Sequence, residues 1–208
     1  NVQAEASNIP DPQRRTECFL DANGKYDFTK QYGYQWFVRK AKEFGVPNLI
    51  AFVNSPPVFM NKNGLGFKSD KDGHANLKPG NYTAFAGFLA TVMQYFDKQG
   101  LHFDYLSPVN EPQWEWAANS RGKSSQEGSP YFNGEIAAVT RKIDSVFTRR
   151  HVTSKIFIGE AGSIDRLFQG NGRADDQIDN FWNPANPNYL GNLRNLEKNA
   201  VSGHSYWT

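Results

Sequence analysis

Short apolar runs alternate along this chain with longer stretches in which apolar residues recur every three or four positions. The short runs fall at residues 47–53, 103–109, 156–159 and 200–206, and their length and bounding turn residues predict strands. Between them the helical period takes over. A first helix is predicted over residues 34–44, with Phe37, Lys40, Ala41 and Phe44 on successive turns. A second begins at Asn81, read as its cap, carries Phe85, Phe88, Leu89, Val92, Tyr95 and Phe96, and stops at Gly100. A third carries Ile136, Val139, Ile143, Val146 and Phe147, and a fourth Leu190, Leu193 and Leu196. Strand–helix–strand alternation of this kind predicts an α/β fold with a parallel sheet, either doubly wound or closed as a barrel.

Connection lengths separate the two. The segments after strands are long, over residues 54–80 and 111–133, whereas Gly45-Val46-Pro47 leads from a helix straight into a strand. The Gly, Pro, Asn and Trp irregularity therefore gathers at the carboxyl ends of the strands, where barrel enzymes carry their active sites. A doubly wound sheet would usually show a glycine-rich phosphate turn after its first strand, and this chain has none there. A (β/α)8 TIM barrel is the expected architecture. Such a barrel takes about 250 residues, so the 208 residues read as one partial barrel domain, residues 1–208.

Composition narrows the partners. Lys and Arg exceed Asp and Glu by only two, with no basic stripe, so nucleic acid and anionic membrane surfaces are not expected partners. The apolar runs, such as residues 49–53, fall far short of the roughly 20 residues of a membrane span. Cys18 is the only cysteine, which excludes an internal disulfide, and its neighbours Glu17, Phe19 and Leu20 make it a small core filler. No His/Glu cluster suggests zinc, and Asp175, Asp176 and Asp179 lack the spacing of a calcium loop, so residues 165–188 read as a solvated loop and no metal or cofactor is expected. Five tryptophans in so polar a chain leave some for a binding surface.

The segment richest in chemistry is Ser107-Pro108-Val109-Asn110-Glu111-Pro112. A strand runs into Asn-Glu and proline then ends further pairing, which holds a carboxylate on rigid backbone with an amide beside it. Cleavage of a glycosidic bond needs such a group as general acid, its proton retained through partial burial and nearby negative charge. A lone glutamate is by default a surface residue. Its place at a strand end, followed by Trp114 and Trp116, argues otherwise, because apolar sugar faces pack on indole rings.

With these residues in view, the chain resembles glycoside hydrolase family 30. Ser55-Pro56-Pro57-Val58-Phe59-Met60 with Asn63-Gly64 is similar to that family's segment after strand 3, Asn110-Glu111-Pro112 to its strand-4 motif, and His204-Ser205-Tyr206 to its strand-6 motif. Ser7-Asn8-Ile9-Pro10-Asp11-Pro12 and Arg14-Arg15-Thr16-Glu17 resemble the loop after strand 2 in the endo-β-1,6-galactanase-like subgroup. The resemblance implies an incomplete barrel of about strands 3–6 plus the loop after strand 2. It implies a retaining, secreted or extracytoplasmic glycosidase acting on a β-linked carbohydrate resembling β-1,6-galactan. A β-1,6-glucanase, a glucosylceramidase-like enzyme and a non-catalytic carbohydrate-binding barrel are the alternatives.

The same resemblance assigns roles. Glu111 would be the acid/base, and Asn110 would hydrogen-bond the sugar 2-hydroxyl. Tyr206 would lie close to the nucleophile, and His204 would line the pocket unless it is a satisfied structural histidine. The family's nucleophile, a glutamate ending strand 7, is expected beyond Thr208. Glu160 also follows a strand, but neighbouring strands 4 and 5 would present their carboxylates to the same side of the sugar, so a substrate-contacting or supporting role is expected for it. Of Trp114 and Trp116, one is expected to face substrate and the other to pack the loop. Asn54, Phe59 and Trp207 are further candidates for the substrate wall.

Overall fold

The structure, a computed structural model, describes residues 9–206; Ser7, Asn8 and the substrate-wall candidate Trp207 lie outside the described residues. Three strands, β1 (Ile50–Phe52), β2 (Tyr105–Ser107) and β3 (Lys155–Ile156), form a parallel sheet in the order β1-β2-β3. Ala51 pairs with Leu106, and Leu106 in turn with Ile156. Around the sheet run α1 (Tyr32–Glu43), α2 (Tyr82–Lys98), α3 (Asn133–Arg150) and the short α4 (Gln177–Trp182). Hydrogen bonds continue past the ladder, from Val53 N–H to the Ser107 carbonyl at 3.0 Å and from Phe157 N–H to that of Leu106 at 2.8 Å. The strand ends are thus held in register for several residues toward the site.

The core lies between the sheet and the helices α2 and α3. The apolar stripe of α2 buries Phe85, Phe88, Leu89, Val92, Met93 and Phe96, and that of α3 buries Ile136, Val139, Ile143, Val146 and Phe147. Each such side chain contributes about 1.5–3 kcal/mol relative to exposure. Arg150, at the end of α3, clasps α2 by donating to the Gly87 carbonyl, the Thr91 hydroxyl and the Gln94 amide oxygen. At the other end Glu135 Oε2 reaches back to the Phe132 N–H at 2.9 Å and takes the Ala75 N–H at 3.1 Å. One carboxylate thereby caps α3 and anchors the long loop after β1. Cys18 is buried in the core.

The structure departs from the sequence reading at several points. Residues 190–196 form no helix: Leu190 and Leu196 are buried, but from turns and a single bridge, Leu196 with Ile156. Pro184 and Pro187 remove backbone donors there, and the side chains of Asn183 and Asn186 accept the N–H groups of Ala185 and Asn188, a pattern that favours turns over helix. Residues 200–206 run alongside β3 but make only the Ala161–Gly203 bridge rather than a regular strand. Asn81 does precede α2, yet its side chain donates to the Met60 carbonyl at 2.9 Å rather than capping the helix. Residues 165–188 are not the solvated loop expected: they include α4, which buries Gln177 and Phe181. Asp175 is buried and accepts from Arg166 Nη1 at 2.8 Å and from the Gly172 N–H at 3.0 Å. Finally, Phe37 of α1 and Phe44 just after its end stand exposed. β1 is an outer strand of the sheet, and an open apolar groove of about 410 Å³ separates it from α1, lined by Tyr34, Phe37, Val38, Phe52, Met93 and Phe96.

Candidate active site

The carboxyl ends of β2 and β3, together with residues 202–206, converge on one cluster. Glu111 follows β2 and Glu160 follows β3, and the Glu111 N–H donates to the Glu160 carbonyl at 2.8 Å. The His204 N–H donates to the Ala161 carbonyl, also at 2.8 Å. The turn at 160–161 therefore serves as a common ruler for the segments on either side of it. Glu111 and Glu160 both have φ of 43°, and Trp116 has φ of 48°. Non-glycine residues adopt this left-handed region at a cost of about 1–3 kcal/mol and keep it where surrounding contacts enforce it, often at functional sites.

Asn110 and Glu111 are almost fully enclosed, with 4% and 6% of their surfaces exposed. His204 lies beside both. Its Nε2 lies 3.2 Å from Asn110 Oδ1, its Nδ1 2.8 Å from the Tyr206 hydroxyl, and the same Nδ1 is 3.6 Å from Glu111 Oε1. Burial pushes the Glu160 carboxyl above its ordinary range; hydrogen bonding with Ser202 opposes this, as do the proximity of His204 and a hydrogen bond with Ser107, while the Glu111 charge adds to it. Desolvation and then the charges of Glu111 and Glu160 hold the Tyr206 phenol above its ordinary value. Two carboxyl groups in electrostatic contact, one of them disposed to keep its proton, form an arrangement able to give and take protons at a bound substrate.

The two indoles sit in different surroundings. Trp116 Nε1 donates to the Glu111 carbonyl at 2.9 Å, and its ring lies against Gly128, where no Cβ could fit. Trp116 thus packs the loop onto the acidic residue. Trp114 is half-buried over Gly162, where a Cβ would stand 2.6 Å from its Nε1. Asn54 is half-buried just past β1, and Phe59 is partly buried against the core.

Three residues of this region escaped the sequence reading. Gln113 joins three segments, accepting the Gly162 N–H at 3.0 Å and donating to the Ala174 carbonyl at 2.7 Å. Ser202 Oγ accepts the Glu160 N–H at 3.0 Å, and Ser107 and Ser202 both act to lower the Glu160 carboxyl against the effect of burial. For Ser202 a signal existed, since Ser202, His204 and Tyr206 share the parity of one face of an extended segment. Among the described residues no group of three or more His, Cys, Asp or Glu side chains could hold a metal ion, and no helix is long and apolar enough to cross a membrane.

Comparison with known proteins places the chain. The sequence profile of O-Glycosyl hydrolase family 30 matches residues 1–208. Among solved structures, a conserved exported protein from Bacteroides fragilis is 36% identical, with a TM-score of 0.89 over 96% of this chain and 40% of that one. The endo-β1,6-glucanase BT3312 is 15% identical, with a TM-score of 0.62 over 97% of this chain and 42% of its own. The subfamily 8 xylanase Xyn30A from Clostridium acetobutylicum is 20% identical, with a TM-score of 0.59 over 88% and 39%. The last two likenesses are of fold alone. No curated protein matches. The chain belongs to glycoside hydrolase family 30. It spans 40% of the length of the exported Bacteroides protein.

Proposed function

We propose that this chain is part of the catalytic barrel of a retaining glycoside hydrolase that cleaves a β-linked polysaccharide, with Glu111 as its acid/base. The observation that carries the reading is the enclosure of Glu111 at a strand end, with Asn110, His204 and Tyr206 hydrogen-bonded in one chain beside it. In the first step Glu111 protonates the departing glycosidic oxygen; in the second it takes a proton from water. Asn110 binds the 2-hydroxyl, a contact that strengthens in the transition state. The partner carboxylate, a nucleophile, is supplied from beyond Thr208, and Tyr206 lies next to it. Glu160, whose N–H is taken by Ser202, supports the pair rather than attacking the sugar. Trp114 and residues near Asn54 contribute the substrate wall.

β1 to β3 and residues 200–206 correspond in this reading to strands 3–6 of a (β/α)8 barrel, and the groove beside β1 is where strand 2 packs. β-1,6-galactan is the proposed substrate, and the fold likeness to an endo-β1,6-glucanase makes β-1,6-glucan the second reading. Export is supported by the 36% identity with an exported protein. The experiment is turnover of β-1,6-galactan, β-1,6-glucan and xylan by the intact protein and by Glu111→Gln. Hydrolysis of any of them that survives the substitution unchanged removes Glu111 from its role.

A further inference from the structure

We propose that His204 is a positioning residue: it fixes the side-chain amide of Asn110 with the oxygen turned toward the ring and the NH2 offered to the sugar 2-hydroxyl. The proposal rests on the glycosidase reading above for the identity of the hydroxyl, but its structural basis stands separately.

An asparagine amide has nearly the same shape when turned by half a turn, so packing alone cannot choose between its oxygen and its nitrogen; only a hydrogen-bond partner can. Asn110 is buried and carries the amide next to Glu111. Its Oδ1 can only accept, so the His204 nitrogen 3.2 Å away must bring the proton. That assigns Nε2–H as the donor. In a neutral imidazole the other nitrogen is then an acceptor, and Nδ1 takes the Tyr206 hydroxyl proton at 2.8 Å. Glu111 Oε1, at 3.6 Å from Nδ1, lies outside hydrogen-bonding distance. The direction of the whole chain follows: Tyr206 O–H to His204 Nδ1, His204 Nε2–H to Asn110 Oδ1, and Asn110 Nδ2 left to donate outward.

The backbone makes this alignment firm. His204 and Glu111 are both hydrogen-bonded to the turn at 160–161, so the imidazole cannot drift along the sheet relative to Asn110 without breaking a main-chain bond. A hydrogen bond that strengthens only in the transition state is useful when its donor is already aimed. Loss of the aim is expected to lower kcat, whereas KM should change little.

Two measurements on the intact protein decide the matter. In histidine-selective 15N NMR, the neutral His204 ring should be the Nε2–H tautomer, and Asn110→Ala should mix the tautomers; a settled Nδ1–H tautomer overturns the proposal whether or not turnover is seen. In kinetics, 4-nitrophenyl β-galactoside and β-glucoside are compared with their 2-deoxy analogues. His204→Ala should cost roughly tenfold in kcat on the parent glycoside, the worth of one hydrogen bond, and close to nothing on the 2-deoxy analogue. His204→Gln, whose amide can donate to Oδ1, should recover part of the loss. Equal losses on both substrates, without rescue, would mean a merely structural histidine and refute the positioning role. If Asn110→Ala itself fails to discriminate the two substrates, the 2-hydroxyl reading falls, while the tautomer result still judges the geometry.

Discussion

Glu127 is a carboxyl in the wrong place for an ordinary glutamate, and its removal should stabilise the protein in a pH-dependent way. It is 1% exposed, and neither of its oxygens has a hydrogen-bond partner of good geometry. Burial pushes its pKa from an ordinary 4.5 up to about 8; the nearby Thr16 N–H offsets little of this. The folded state therefore keeps the proton in a range where the unfolded chain has released it. Stability from this group is complete below about pH 4.5 and is lost as pH rises toward 8. At about 1.4 kcal/mol per pH unit, the loss across that window approaches ~5 kcal/mol as an upper figure. Glu127→Gln abolishes the ionisation but leaves a buried amide short of partners, a cost of about 1–3 kcal/mol. The variant should be more stable than the parent by about 2–4 kcal/mol at pH 8, a rise of several degrees in Tm, and less stable by about 1–3 kcal/mol at pH 4.5, where only the cost of the unpartnered amide remains. Thermal and urea unfolding of the intact protein and its variant at both pH values measure this. Because every other titrating group is shared, only the difference between the two curves matters. A difference that stays constant from pH 4.5 to 8 would falsify the idea that Glu127 is buried as the neutral acid.

Other expectations are more direct. Glu111→Gln should depress hydrolysis of substrates with poor leaving groups by orders of magnitude, with a smaller loss on activated aryl glycosides, since only poor leaving groups need the proton; equal losses on both would count against the acid/base role. Following the first-formed product by NMR should show retained anomeric configuration, and an inverted product would bring Glu160 forward as a base. Gly162→Ala forces a Cβ against Trp114 and should raise KM for an oligosaccharide while sparing small aryl glycosides; an unchanged KM would take Trp114 out of the substrate wall. The 208-residue chain on its own presents the outer edge of β1 and the groove beside α1, both templates for association. Light scattering should find it associated, and a monomer with a cooperative melt would count against the partial-barrel reading.

The parts of the fold that the sequence made legible are those whose local and tertiary demands agree. In α2 and α3 the residues at helical spacing are the ones buried, because a sheet and a second helix cover that stripe. Over 190–196 the leucines keep the same spacing, and Leu190 and Leu196 are buried with Leu193 partly so, yet the segment forms no helix. Leucine is drawn into the core from any backbone conformation, and here Asn side chains and prolines upstream set the conformation. The first helix shows the converse. Phe37 and, just past the helix end, Phe44 are spaced for burial, and they stand exposed on a side where β1 pairs with no further strand among the described residues.

At the site, what could be read was what lies along one segment: Asn110 and Glu111 at a strand end, the two indoles after them, and His204 and Tyr206 alternating on one face. What could not be read depends on the register between segments. Nothing in Gly159-Glu160-Ala161 announces that Ser202 will take the Glu160 N–H, or that Glu111 will donate its own N–H to the Glu160 carbonyl, since that requires three segments to be aligned to within a residue. Glu127 is hidden for a different reason. Ser124-Ser125-Gln126-Glu127-Gly128-Ser129-Pro130 has the composition of an exposed loop, but Gly128 admits the Trp116 ring and the Arg14 guanidinium holds Gln126 at 2.9 Å, so the segment closes over its own glutamate. Trp116 in turn donates to the carbonyl of Glu111. Packing around a buried acid and the setting of the proposed catalytic residue thus meet in one loop. Ionising Glu127 should therefore loosen the seat of Trp116 before it unfolds the sheet.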